Sequence, residues 1–293
     1  MNLVLTVLNI TAPVFLLATV GFVWVKLGFE YRVEFVTRMA MTLAVPSLIF
    51  VALMNIEAEP QALAALSLAS LVAYGIVIVG IFAVVKIARL DMQTFLAPLV
   101  FGNTGNLGLP LALFAFGETG LGYAVVVFAI MATLSFTIGI WMVAGAGSFK
   151  RVVREPLVGA TLLGALFQWL GWETPVFLTN AISLVGQMAI PLMLITLGVA
   201  VARLETNAMT RAVILSVIKL AICATVGWAV ATWFALDRVA TGVLIVQVAT
   251  PVAVASYLLA EKYGSDPQSV AGLVVASTLL SVLALPLILA FVI

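Results

Sequence analysis

Between Val100 and Gly117 the chain reads VFGNTGNLGLPLALFAFG, which sets two carboxamides, Asn103 and Asn106, and the hydroxyl of Thr104 inside an apolar run. Uncharged amides and hydroxyls both donate and accept hydrogen bonds, so they suit the binding of a polar ligand better than covalent catalysis. Gly105, Gly108 and Pro110 weaken a helix at the same place, two through backbone freedom and one through the missing N–H. A second apolar run, QVATPVAVASY, carries Gln247, Thr250 and Pro251, with Pro251 standing 141 residues after Pro110.

One charge joins these groups. Lys219 is the only ionisable side chain well inside an apolar segment, eight residues after Arg211 and hence about 12 Å deeper along a helix. A centred charge costs at least ~2.5–3.5 kcal/mol in a bilayer, so it needs a partner or a purpose. Two readings stand. Its ammonium can sit under the two interrupted runs, bonding freed carbonyls and amide oxygens in the place of a coupling cation, or releasing a proton during a cycle. Alternatively its stem can snorkel toward the interface.

Histidine is absent and Cys223 is the only cysteine. That excludes Ser-His-Asp triads, histidine metal sites and an internal disulfide. No Asp or Glu falls inside an apolar segment and no Gly-x-Ser-Gly sequence occurs, so an enzyme is not expected, and neither is a cofactor or a metal.

These residues must be positioned by membrane helices. The 293 residues are 65% hydrophobic and only 9% charged, with a mean hydropathy of +1.29. Soluble domains carry about 25% charged residues. Breaking the chain at charged, proline or glycine junctions predicts ten spans, near 3–25, 34–55, 61–85, 93–116, 120–144, 155–172, 175–201, 208–235, 239–262 and 267–292. The first lacks a basic leader and a small-residue cleavage site, so it reads as a span and not as a removable signal. Trp24, Trp169, Trp172 and Trp233 fall near span ends, where interfacial tryptophans sit.

Alternating spans sort the cations. Connections 1–2, 3–4, 5–6, 7–8 and 9–10 hold Lys26, Arg32, Arg38, Lys86, Arg89, Lys150, Arg151, Arg154, Arg203, Arg211 and Lys262, eleven of the thirteen basic residues. The opposite face has Arg238 alone. The excess places those connections in the cytoplasm and both termini outside. The expected location is a bacterial inner membrane, with the bilayer and a small solute as partners and no nucleic acid.

The chain also resembles itself. AVPSLIF from Ala44 and AIPLMLI from Ala189 begin 145 residues apart, as do Thr133-Leu134 and Thr278-Leu279. Pro13 with Gly21 matches Pro156 with Gly164 at an offset of 143. Five spans per half is odd, so the second half enters from the opposite side. The expected fold is an all-α membrane protein of two inverted five-helix repeats, residues 1–146 and 147–293, the architecture of secondary transporters.

Within that frame the breaks of spans 4 and 9 lie near mid-membrane. Asn106 is expected to cap the second half of span 4, with Pro110 early in that half. Two half-helix N-termini would then meet, each carrying roughly +0.5 of a charge, which favours an anion. The plainer alternative is a pair of proline kinks whose amides bond neighbouring helices.

GNTGNLGLPLALFAFGETG, Gly102 to Gly120, resembles the signature of the auxin efflux carrier family, which includes plant PIN proteins and bacterial malonate or malate permeases. The family is similar in fold to bile-acid symporters and sodium/proton antiporters. The resemblance implies a scaffold of spans 1, 2, 6 and 7 and a transport domain of spans 3–5 and 8–10 that moves elevator-fashion. It places Asn106 and Pro110 at the crossover, Thr250 and Pro251 opposite, and Ser47 and Gln187 on the scaffold beside Pro46 and Pro191. A homodimer through the scaffold follows from relatives alone. The expected function is transport of a small organic anion such as malonate or malate, or an auxin-like acid. A proton- or sodium-coupled symporter of another organic solute is the alternative, and a non-transporting receptor a distant one.

Overall fold

The computed structural model describes residues 3–56, 59–144, 156–204 and 209–293, and among them every regular element is helical. Lys150, Arg151 and Arg154, expected in the connection between the halves, lie outside the described residues. Helix α1 spans Leu3–Lys26, α2 Val33–Met54 and α3 Pro60–Ile87. Helix α4 is short, Met92–Val100; after it a turn at Thr104–Gly108 leads into α5, Leu109–Leu134. Two further turns continue that rod to Ala144. The second half comprises α6 (Pro156–Leu170), α7 (Val176–Gln187), α8 (Ala189–Arg203), α9 (Met209–Trp233), α10 (Arg238–Val248), α11 (Val254–Tyr263) and α12 (Pro267–Val292).

Seven of these segments are long and apolar enough to cross a membrane: α1, α2, α3, the rod Thr104–Val143, Val176–Arg203, α9 and α12. Ten spans were expected, and the difference has local causes. The predicted spans 4 and 5 share one 40-residue rod, bent where Gly117 takes φ 68° and ψ −158°. The first part of span 4 is only the nine residues of α4. Span 9 is divided between α10 and α11, and span 6 is the 15-residue α6.

Prolines shape the longer helices. Pro46 cannot donate to the carbonyl of Thr42, and the turn just before it, Ala40–Ala44, is widened to π-type hydrogen bonding. Pro110 follows the widened turn Thr104–Gly108 in the same way.

Two sets of helices pack most closely among themselves. In the first, α1 lies on α8, and α2 lies on α6 and α7. Glycine makes these approaches close: Gly21 faces the Ile195 carbonyl and Gly198 faces that of Ala18, with no room for a Cβ in either place. In the second set α9 contacts α10, α12 and α3, and α10 contacts α5.

The left-handed residues fall in pairs. Gly28 and Gly171, Arg89 and Ala235, and Gly117 and Gly264 are all the described residues with positive φ; the partners stand 143, 146 and 147 residues apart. Each pair lies at corresponding junctions of the two halves expected from the sequence.

Candidate functional site

The two interrupted segments meet. Helix α4 ends at Val100, Phe101 is extended, and Gly102 and Asn103 lead non-helically into the widened turn. Helix α10 ends at Val248, and residues 249–253 separate it from α11. The Asn103 amide donates to the Pro251 carbonyl at 2.7 Å, and Gly102 pairs with Val252 as an isolated antiparallel bridge. Backbone freed from one helix is thus bonded by backbone freed from the other, which is what makes broken helices tolerable in an apolar interior.

Aspartates start both first halves. Asp91 accepts from the Thr94 amide at 2.8 Å to cap α4, and Asp237 accepts from the Ala240 amide at 2.9 Å to cap α10. They stand 146 residues apart, a signal present in the sequence that was not read.

Close approach at the joint requires glycine. A Cβ on Gly102 would lie 2.2 Å from Thr250 Oγ1, and one on Gly108 would lie 2.1 Å from Gln247 Oε1. Gln247 is fully buried and reaches across to α5, donating from Nε2 to the Ala124 carbonyl at 3.4 Å. The Thr250 hydroxyl donates to the Gln247 carbonyl at 2.7 Å and so closes the end of α10.

The expected capping role of Asn106 is corrected. Asn103 occupies the cap position of the turn, and its carbonyl accepts from Leu107 and Gly108 at 3.1 and 3.3 Å. Asn106 lies inside the turn, half-buried. The widened ring moves the start of the helix three residues earlier than Pro110 alone would suggest. Pro110, in the first turn of α5, has no N–H for the Asn106 carbonyl.

Several polar atoms at the joint are buried without a hydrogen-bond partner among the described residues: Asn103 Nδ2, Thr104 Oγ1 and Gln247 Oε1. Leaving such an atom unpaired costs about 1–3 kcal/mol, so three together mark a place that favours a polar guest.

Lys219 is 2% exposed. It lines an opening of ≈ 10 Å³, room for about one water, with Ser216, Thr250, Pro251, Ser277 and Ser281. Its Nζ lies 3.8 Å from Cys223 Sγ, and no carboxylate pairs with it among the described residues. Ser277 completes the joint by accepting from the Val252 amide at 2.9 Å. Ser277, Ser281 and Tyr74 were not read from the sequence. Tyr74 is buried, its hydroxyl unpaired and its ring stacked on Phe101 at 6.4 Å between centroids. The spacing Ser277-x-x-x-Ser281 on one face of a membrane helix was the available signal.

The scaffold candidates are placed less closely. Ser47 is half-buried where α2 meets α7, since a Cβ on Gly186 would touch the backbone of Ser47 and Leu48. Gln187 is exposed at the end of α7. Among the described residues neither is hydrogen-bonded to either break. It is Leu107, Ile190 and Leu194 that join the turn to α8, with Leu48 packed against them.

Known proteins similar in sequence are transporters by name. An uncharacterized transporter of Methanocaldococcus jannaschii is 23% identical over 96% of this chain and 97% of its own. A Rhizobium meliloti protein named "Putative malonate transporter" is 29% identical over 55% of both chains. An uncharacterized transporter of Methanothermobacter thermautotrophicus is 30% identical over 63% of both. The family model described as membrane transport protein matches residues 6–150 and 147–289. Two interrupted helices joined at their breaks, in an apolar helical protein matched almost from end to end, are therefore those of a transporter: the chain belongs to the membrane transport protein family, that of the auxin efflux carriers and malonate permeases.

Proposed function

We propose that the protein is a secondary carrier that moves a small organic anion across the membrane. The observation that carries this reading is the pair of buried donors with no hydrogen-bond partner among the described residues, Asn103 Nδ2 and the Thr104 hydroxyl, where two broken helices meet. Helix N-termini direct unpaired N–H groups toward their ends, and the Lys219 ammonium lies behind the second break. Positive potential with neutral hydrogen-bonding groups suits a carboxylate. The malonate named for the Rhizobium meliloti relative is such a solute. Asn106, Pro110, Gln247, Thr250 and Pro251 complete the site in this reading, with Ser47 and Gln187 kept as scaffold candidates that would reach it only as the two sets of helices move.

The paired left-handed residues support two inverted repeats, 1–146 and 147–293, and hence ten spans, while the one-sided distribution of basic residues supports both termini outside. The two closely packed sets of helices support a division into scaffold and mobile domain, hence alternating access by an elevator movement. Lys219 acts as a fixed internal cation beneath the joint in this account, and its depth there favours that role over snorkelling.

The test is charge movement by purified protein in liposomes on a solid-supported membrane. Malonate, malate, oxalate, acetate and indole acetate are added in turn, with and without sodium and at two pH values. A saturable current with one anion, lost in Asn106→Ala while the variant unfolds at the wild-type temperature, is the expected result. A full current in Asn106→Ala removes the joint from the transport path. A sodium or proton requirement would turn the reading toward a coupled symporter.

A further inference from the structure

A second opening lies away from the joint. A cleft of ≈ 520 Å³ runs between α2 and α7 on one side and the bend after Gly117 on the other. Its walls are apolar, and its rim carries Asn55, Glu118, Thr119 and Ser183. Gly117 makes this rim: its left-handed φ of 68° turns the chain so that Glu118 follows the bend and stays exposed. At the inner end, Leu48 both lines the cleft and packs against the cluster that holds Leu107 of the widened turn. Leu48 thus belongs both to the wall of this opening and to the packing around the widened turn.

Among the described residues Glu118 is the one ionisable side chain lining the cleft. No ion pair forms on it among the described residues, and in the sequence the flanking connections carry Glu59 and Glu173 and no lysine or arginine, Arg238 after α9 being the one cation expected on the same face. A carboxylate on the approach to an anion site opposes each arriving negative charge, and it opposes two charges twice as strongly as one. We infer that Glu118 is a specificity-determining residue, which biases the carrier toward singly charged anions approaching through this cleft. The inference rests on the anion-carrier reading. It concerns which anion is preferred and from which face, where the earlier reading concerns whether anions are carried at all.

The experiment compares malonate with its monomethyl ester, a dianion and a monoanion of nearly the same shape at neutral pH. Initial transport rates are measured in proteoliposomes of one orientation, at low ionic strength, for wild type, Glu118→Gln and Glu118→Asp. With substrate added on the cleft side, Glu118→Gln is expected to raise kcat/KM about twofold for the ester and about sixfold for malonate, from one unit charge at roughly 8 Å in largely aqueous surroundings. Raising the salt should collapse both gains, because screening acts on exposed charges. Glu118→Asp, which keeps the charge, should stay near wild type. Equal gains for the two substrates, or none, overturn the inference while leaving anion transport intact. An identical gain from the opposite face also overturns it. If wild type carries neither compound nor any other anion of the panel, the carrier reading fails and the charge bias falls with it.

Discussion

The amide of Asn103 and the carbonyl of Pro251, 148 residues apart in sequence, are hydrogen-bonded at 2.7 Å. Each belongs to a segment that has left its helix, so the bond supplies for both what regular secondary structure would have given. The neighbouring pair of Gly102 and Val252 makes the contact a short antiparallel one. The joint is thus built from main chain, and side chains enter it at particular points.

Gly108 is one such point, because a Cβ there would lie 2.1 Å from Gln247 Oε1. Gly108→Ala should lower stability by about 1–3 kcal/mol through overpacking. Gln247→Ala in the same chain should return part of that loss, because the atoms that block the methyl belong to the Gln247 side chain. Thermal unfolding of the four proteins in one detergent gives the coupling energy, expected at about 1 kcal/mol or more. Additive losses would mean that the turn, and not this contact, excludes alanine.

Lys219 is buried beside Ser216, Thr250 and Ser281 with no carboxylate partner among the described residues. Replacing a buried charge by an apolar chain of similar length is often neutral or stabilising by about 1–4 kcal/mol. Lys219→Met is therefore expected to unfold at or above the wild-type temperature while losing substrate-induced current. A variant that is less stable yet transports normally would make Lys219 a packing residue.

Gly117 and Gly264 are both left-handed but are not equally demanding. Gly264 has φ 73° and ψ 24°, where alanine costs about 1–2 kcal/mol. Gly117 has φ 68° and ψ −158°, a region essentially restricted to glycine, and no atom lies within 4 Å of a Cβ there. Gly117→Ala should thus cost more than Gly264→Ala, by backbone strain of about 1–3 kcal/mol. Side-by-side melting curves check the order, and equal losses would mean that the bend relaxes.

Asp266 caps α12 by accepting from the amide and hydroxyl of Ser269, and its own amide donates to Thr94 Oγ1 at 3.2 Å. The Ser269 hydroxyl bond, above all, holds this carboxyl below its ordinary value, with the Ser269 amide next. A lowered folded value means that the carboxylate stabilises the fold above the ordinary aspartate range, and that this is lost as pH falls through the lowered value. Asp266→Ala should therefore melt below wild type at neutral pH, by about 1 kcal/mol for a lost cap, and the gap should narrow in acid. Melting temperatures of both proteins across that pH range decide it; a constant gap would assign the loss to packing.

The prolines and glycines made the two breaks legible, because each has a strict backbone consequence: Pro110 and Pro251 remove donors, and Gly105 and Gly108 free the backbone, whereas the need for glycine at Gly102 shows only in its closeness to Thr250. The helix limits from Leu3 to Lys26 and from Pro267 to Val292 follow from apolar length and were equally plain. Asn103 and Asn106 could not be distinguished as caps, since that choice depends on the ring size of one turn. Tyr74 and Ser277 reach the joint only through tertiary packing of α3 and α12, which local pattern does not encode. Arg89 and Ala235 are left-handed without being glycine, so residue type gave no sign of them.

The paired stops have a consequence for assembly. Gly28, Arg89 and Gly117 end segments in the first half, and Gly171, Ala235 and Gly264 do so in the second. Each half thus holds its own set of turning points and borrows none from the other. Two separately translated pieces, divided between residues 146 and 147, should each insert into a bilayer and then find one another through the contact of α1 with α8 and the backbone joint at Asn103 and Pro251. A carrier organised in this way could have begun as two chains.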